Sequence, residues 1–188
     1  MQNVHEVYSS YDDYRSLENY SNSKHEFIGG QIFAMTGASP EHERLTALMS
    51  AMLVNGVHRG CTVYGSNLRI FIETATKDVA TYPDGSVVCG PLQYAPADDK
   101  AIINPRFIFE VLSPRTQKYD QTEKLKYYQN LTSLYQVMFI SQHSRRIVLH
   151  SRASSIDNDW RIETKDSGVI HLTSINIKID IDRLYESY

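Results

Sequence analysis

The spacing of apolar and polar positions divides the chain into short helices and strands. Ser9 and Ser10 precede the stretch Tyr11–Tyr20, which predicts a short helix with acids near its start, where the helix dipole favours negative charge. Between Lys24 and Gly37, two short apolar stretches around Gly29-Gly30 predict a hairpin. Ser39 and Pro40 then open the strongest helix signal in the chain. Ser39 can cap, Pro40 suits the first helical position, and Glu41 and Glu43 fall in the first turn. Leu45, Leu48, Met49, Met52 and Leu53 follow as one apolar stripe, and Gly56 and Gly60 end it.

From Cys61 the period becomes that of strands. Leu68, Ile70 and Ile72 alternate within residues 62–73, and a further strand stretch, 80–90, follows a charged turn at Lys77-Asp78. Residues 91–105 predict a polar, proline-punctuated loop, long enough to carry function or variation. Phe107-Ile108-Phe109-Glu110-Val111-Leu112 is apolar on both faces and predicts a central strand. Residues 118–131 predict a second helix, with Asp120 and Glu123 as a capping-box-like pair. Five further strands, at 134–141, 145–152, 159–164, 168–173 and 175–180, are closed by a short helix. The sum is α+β (α/β): a mixed β-sheet flanked by helices.

Length and composition narrow this further. At 188 residues with 41% hydrophobic content, the chain fits a single domain, 1–188, with a real core. A net charge of -3 excludes a diffuse polycation, so a nucleic-acid role needs a local basic groove. Candidates for one are Arg106, Arg115, Lys118, Arg145, Arg146, Arg152 and Lys165; Arg145-Arg146 at a hairpin tip fits a solvated turn equally well. No apolar run approaches the ~20 residues that span a bilayer. Residues 1–14 lack the layout of a signal peptide, so a cytoplasmic protein is expected. Cys61 and Cys89 have no CxxC spacing, are too few for a disulfide framework, and read as small core residues.

Chemistry enters with Glu110. An ionised carboxylate within an apolar strand costs several kcal/mol unless it is paired or binds metal. A buried salt bridge would satisfy it, and so would a cation. Asp84, in Tyr82-Pro83-Asp84-Gly85, is ordinary turn chemistry taken alone. On a strand neighbouring Glu110, about 4.8 Å away, it could share a divalent ion with it. Oxygen ligands without a Cys or His cluster favour Mg2+ or Mn2+ over zinc. At 100° per residue, Lys124 falls on the inward stripe of its helix and Lys126 outside it; Lys124 fits a snorkelling lysine or part of a site. Glu26 fits a strand-edge acid or a site acid, and His42 a structural histidine or a site residue.

Together these residues resemble the Uma2 family of the PD-(D/E)XK nuclease superfamily. The similarity runs through Lys24-His25-Glu26-Phe27-Ile28, Gly30, Ala34-Met35, Gly37-Ala38-Ser39-Pro40-Glu41-His42, Tyr82-Pro83-Asp84, Glu110-Val111-Leu112-Ser113-Pro114, Tyr119-Asp120, Lys124 and Tyr127. The resemblance implies a restriction-endonuclease-like core and a Mg2+- or Mn2+-dependent site hydrolysing DNA, with a homodimer as the expected assembly. Asp84 matches the motif aspartate, Glu110 the strand glutamate, Lys124 a lysine moved from the strand to the next helix, and Glu26 an accessory acid. Asp84, Glu110 and Glu26 are thus the expected metal ligands, with Lys124 beside them. Gly85, where an apolar residue is usual, bears on how Asp84 points, and Arg69, where lysine is common, is a candidate phosphate contact. A catalytically idle binding module and a small-molecule phosphoesterase are the competing readings.

Overall fold

In the computed structural model, which describes residues 9–154 and 159–186, Ser10 caps helix α1 (Tyr11–Tyr20) in a reciprocal box with Asp13. Residues 1–8, part of the N-terminal stretch without a signal-peptide layout, lie outside that range. Strands β1 (His25–Ile28) and β2 (Gln31–Ala34) form the expected hairpin; Gly29 and Gly30 take φ of +54° and +92°, which glycine tolerates without a Cβ clash. Helix α2 (Pro40–Gly56) begins where Ser39 Oγ accepts the His42 amide at 3.2 Å, and Leu45, Met49 and Leu53 are fully buried. None of the described helices is long and apolar enough to cross a membrane.

The alternating stretch 62–73 is two strands, not one. A turn at Gly65–Leu68 separates β3 (Cys61–Gly65) from β4 (Arg69–Glu73) and sends them to different sheets. After them come β5 (Asp78–Thr81), β6 (Gly85–Cys89), β7 (Tyr94–Ala95), β8 (Asp98–Ile102) and β9 (Phe107–Leu112). A helical segment, here α3, combines an α turn Gln117–Tyr119, a π turn Asp120–Lys124 and an α turn Leu125–Tyr128. Then follow β10 (Gln136–Ser141), β11 (Ile147–Ser151), β12 (Arg161–Lys165), β13 (Val169–Leu172), β14 (Ile177–Asp180) and the short helix α4 (Ile181–Leu184).

One six-stranded sheet runs β2-β1-β5-β4-β8-β7, the other β12-β11-β10-β9-β6-β3, and β13-β14 pair separately. Both large sheets are mixed: β9 runs parallel to β10, and β4 parallel to β8. All six residues of β9 are buried, as its two apolar faces require. Phe107, Phe109 and Val111 pack with α2 and the β13-β14 hairpin. Ile108 and Leu112 point the other way, into a cluster with Ile70, Ile72, Leu125 and Tyr128. Strand periodicity therefore turns Glu110 toward α3 and the first sheet.

Several expectations are corrected. Residues 91–105 are not a plain loop but hold the β7-β8 hairpin at a sheet edge. Asp98 can sit there, 4% exposed, because both its oxygens contact Arg69 Nη2, at 2.9 and 2.8 Å, and Tyr11 donates to it at 2.6 Å. Arg69 is thereby buried and committed, so it is not a phosphate contact. Arg69→Met would strand the Asp98 charge. The expected cost is about 3–5 kcal/mol, read as a lower urea midpoint; an unchanged midpoint would contradict the pairing.

Cys61 and Cys89 are not free core thiols. They face each other across the β3–β6 register and form a disulfide. Asp120 and Glu123 form no capping box, because the helix starts three residues earlier; Glu123 is exposed and pairs with Lys126 at 2.8 Å. The basic residues do not gather into one groove. Arg152 is buried and donates to the Leu131 and Leu134 carbonyls, and Arg106 donates to the Ser174 carbonyl at 2.6 Å. Arg145 pairs with Asp182, and Lys165 donates to the Val169 carbonyl. Arg146 is exposed in the β10-β11 turn, while Arg115 and Lys118 are exposed where α3 begins.

Candidate active site

Antiparallel pairing of β6 with β9 sets Gly85 opposite Phe109, and one step further brings Asp84 to Glu110. Asp84 Oδ2 accepts the Val111 amide at 2.7 Å, and the Asp84 amide lies 3.4 Å from Glu110 Oε2. Gly85 has a steric cause: a Cβ there would come within 2.2 Å of the Phe109 ring. The missing side chain lets the strands close up, so Gly85 supports the placement of Asp84 instead of disturbing it.

Lys124 arrives from the π turn of α3. Asp120 and Lys124, four residues apart, are both buried, whereas Lys126 is exposed. A π turn changes the angular step along a helix and recurs at functional sites. Lys124 Nζ lies 2.9 Å from Glu110 Oε1 and 2.9 Å from Glu26 Oε1. Tyr128, one turn on, donates to Glu110 Oε1 at 2.5 Å. Glu26 comes from β1 and also accepts from Thr81 of β5. Asp84 and Glu110 thus adjoin directly, and Glu26 reaches Glu110 through the lysine.

His42, in the first turn of α2, places Nε2 3.2 Å from Asp84 Oδ2. Its Nδ1 is buried and has no hydrogen-bond partner among the described residues. Sequence reasoning leaves His42 between a structural and a site histidine, because only the fold brings α2 over the end of β6. Two further residues escaped it: Asp120, which resembled a cap, and Tyr128, which resembled core.

The electrostatics follow from crowding acids around one ammonium. Burial lifts the Glu110 pKa to about 8; Lys124 opposes the rise, and the Asp84 and Asp120 charges add to it. Burial also raises Asp120, again against the pull of Lys124. For Lys124, burial disfavours the ammonium, but Glu110 and Glu26 outweigh it and lift its pKa well above the usual lysine value. The Asp84 carboxylate, accepting from His42, raises the imidazole pKa against the effect of burial.

These residues fit a divalent cation. Four carboxylates (Glu26, Asp84, Glu110, Asp120) share one lysine and one histidine, leaving excess negative charge. Among the described residues, nothing donates to Asp84 Oδ1 or Glu26 Oε2, and Glu110 Oε2 has only the long amide contact. Lone pairs of hard oxygen donors are therefore available. The three carboxylates expected as ligands do not, however, bring one oxygen each within 4.8 Å of one another.

Comparison with known proteins gives the same fold. The model of the Uma2 family, described as “Putative restriction endonuclease”, matches residues 11–173. An uncharacterized Synechocystis protein, slr1290, is 32% identical over 176 residues, covering 93% of this chain and 90% of that one. A second, sll1609, is 29% identical over 149 residues, covering 79% and 82%. An Anabaena variabilis crystal structure described as “a putative nuclease belonging to DUF820” superposes with a TM-score of 0.73 at 15% identity, covering 93% of this chain and 96% of that one.

Proposed function

This chain belongs to the Uma2 family, and from that membership we propose that it is a metal-dependent endodeoxyribonuclease that hydrolyses DNA phosphodiester bonds. The observation that carries the proposal is the Asp84–Glu110 pair across β6 and β9 with Lys124 2.9 Å from Glu110. Stability alone is a weak reason for such a cluster, because replacing buried ion pairs by apolar residues is often neutral or stabilising.

Asp84 and Glu110 would hold Mg2+ or Mn2+, with Glu26 reaching the ion through water, since the three carboxylates do not converge directly. The bound ion would supply Lewis acidity and a water molecule ionised near neutral pH. The protein's part is orientation and charge. The Val111 amide and His42 fix the Asp84 carboxylate, and Tyr128 fixes Glu110, leaving their other oxygens for the ion. Lys124 presents a positive charge where negative charge grows on the phosphate oxygens. Hydrolysis would add the hydroxyl of water to phosphorus, break one P–O ester bond and pass the remaining proton to the leaving oxygen, giving a phosphomonoester and an alcohol. Arg115 and Lys118, exposed where α3 begins, would supply cations for the DNA backbone. A homodimer would set two such sites against the two strands of a duplex.

The test is incubation of purified protein with supercoiled plasmid, single-stranded DNA and simple phosphate esters, with Mg2+, Mn2+ or EDTA. Nicked or linear plasmid that EDTA prevents supports the reading. Ester hydrolysis without DNA cleavage would make the protein a small-molecule phosphoesterase. No cleavage, with no calorimetric binding of either ion, would make it an idle module.

A pH dependence follows. With the Glu110 pKa raised to about 8, the metal-free site holds a proton at neutral pH that the ion must displace. Mg2+ affinity should therefore rise at least about tenfold from pH 6.5 to 8.5, with proton release seen calorimetrically at the lower pH. A flat profile would count against Glu110 as a ligand.

A further inference from the structure

A second cluster of donor atoms lies away from the acidic site, and its chemistry is softer. Cys61 opens the edge strand β3, and Cys89 ends its neighbour β6 directly opposite. His58, exposed in the turn between α2 and β3, places Nε2 3.4 Å from Cys61 Sγ. Among the described residues, His58, Cys61 and Cys89 are the only set of three His, Cys, Asp or Glu side chains whose ligand atoms all lie within 4.8 Å of one another.

The histidine is already oriented for a metal. Its Nδ1 sits 2.8 Å from the Arg59 carbonyl oxygen, which can only accept, so Nδ1 carries the proton and Nε2 the lone pair. This carbonyl contact is the kind that fixes the tautomer and direction of metal-bound histidines. The turn is held as well: the Cys61 amide donates to the His58 carbonyl at 3.2 Å, and the Gly90 amide to the Gly60 carbonyl at 2.7 Å. A disulfide sulfur has no proton to offer, so the Nε2 lone pair facing Cys61 is unused while the cysteines are oxidised.

We propose that reduction of the Cys61–Cys89 disulfide creates a Zn2+ site in which both thiolates and His58 Nε2 are the protein ligands. A dithiol reductant supplies two electrons and two protons, itself becoming a disulfide, and the cysteines become thiols. Zinc takes them as thiolates and releases the two protons. Thiol exchange with a disulfide oxidant, which takes up the two electrons and two protons from solvent to become a dithiol, restores the Cys61–Cys89 bond, removes both sulfur ligands and expels the ion. Two thiolates and an imidazole suit zinc's tetrahedral preference, with water in the fourth position, and disfavour Mg2+. The two clusters therefore select different ions from a mixture.

The test uses the full chain, reduced with a phosphine that is then removed, and titrated with Co2+ as a spectroscopic stand-in for Zn2+. The reduced protein should take up one Co2+ per chain with a thiolate-to-cobalt charge-transfer band, which Zn2+ abolishes. The oxidised protein and a Cys61→Ser/Cys89→Ser variant should show no band. His58→Ala, at an exposed position that leaves the fold undisturbed, should weaken binding at least tenfold. Asp84→Asn should keep the band, separating this site from the proposed nuclease site. A reduced protein without the band, or a His58→Ala protein that binds as tightly as the parent, would overturn the proposal.

Discussion

Asp84→Asn and Glu110→Gln should each abolish Mg2+-dependent DNA cleavage while the protein stays folded. Both changes keep the local hydrogen bonds. Asn at 84 can still accept the Val111 amide, and Gln at 110 can still accept from Tyr128. Lys124 retains Glu26 when Glu110 is neutral. What disappears is one negative charge and one strong oxygen ligand. A metal ion's stabilisation of the transition state is worth several kcal/mol, so at 1.36 kcal/mol per factor of ten the rate should fall at least about 10³-fold. Plasmid nicking rates measure this, with calorimetric Mg2+ titration alongside and circular dichroism as the fold control. Cleavage at the parent rate by either variant would remove the two-carboxylate site from consideration.

Lys124→Met should lose both rate and stability, and the two losses can be separated. Without the ammonium, Glu26 and Glu110 face one another unpaired and buried. Breaking a buried pair this way costs about 3–5 kcal/mol, or about 10 °C in melting temperature for a chain of this size. Mg2+ should restore part of that loss and raise the melting temperature of the variant more than that of the parent, because the added charge stands in for the missing one. Cleavage should nevertheless stay about 10²–10³-fold down, the size of effect seen when a single positioned donor to developing charge is removed. Full activity in Mg2+-stabilised Lys124→Met would leave the lysine a purely structural role. That outcome would leave the carboxylate pair intact as a hypothesis.

The parts of this site that could be read from the chain share one property: each announces itself within a single element. Glu110 interrupts an apolar run, and an unpaired charge there is a conflict visible at close range. Lys124 follows from helical rotation, which turns it inward and Lys126 outward. The capping of α1 and α2, the Gly29-Gly30 turn and the buried stripe of α2 are local in the same sense.

The misread parts depend on groups far apart in sequence. Asp120 matched a cap pattern, yet the helix begins at Gln117 and its π turn carries Asp120 into the site. Residues 91–105 looked too polar for strands until Arg69, 29 residues before Asp98, neutralised the offending charge. Cys61 and Cys89 are 28 residues apart and meet only because β3 pairs with β6 and not with β4.

Periodicity and residue chemistry alone therefore determined most of the helices and strands outside residues 62–73 and 91–105, which face of each is apolar, and that Glu110 must find a positive partner. Which partner each buried polar group found was decided in three dimensions: Lys124 for Glu110, His42 for Asp84, Arg69 for Asp98 and Cys89 for Cys61. The reason is physical. A side chain's direction follows from backbone dihedrals within its own element, whereas neutralising a buried charge takes contact at about 3 Å, which only the register between distant strands can supply.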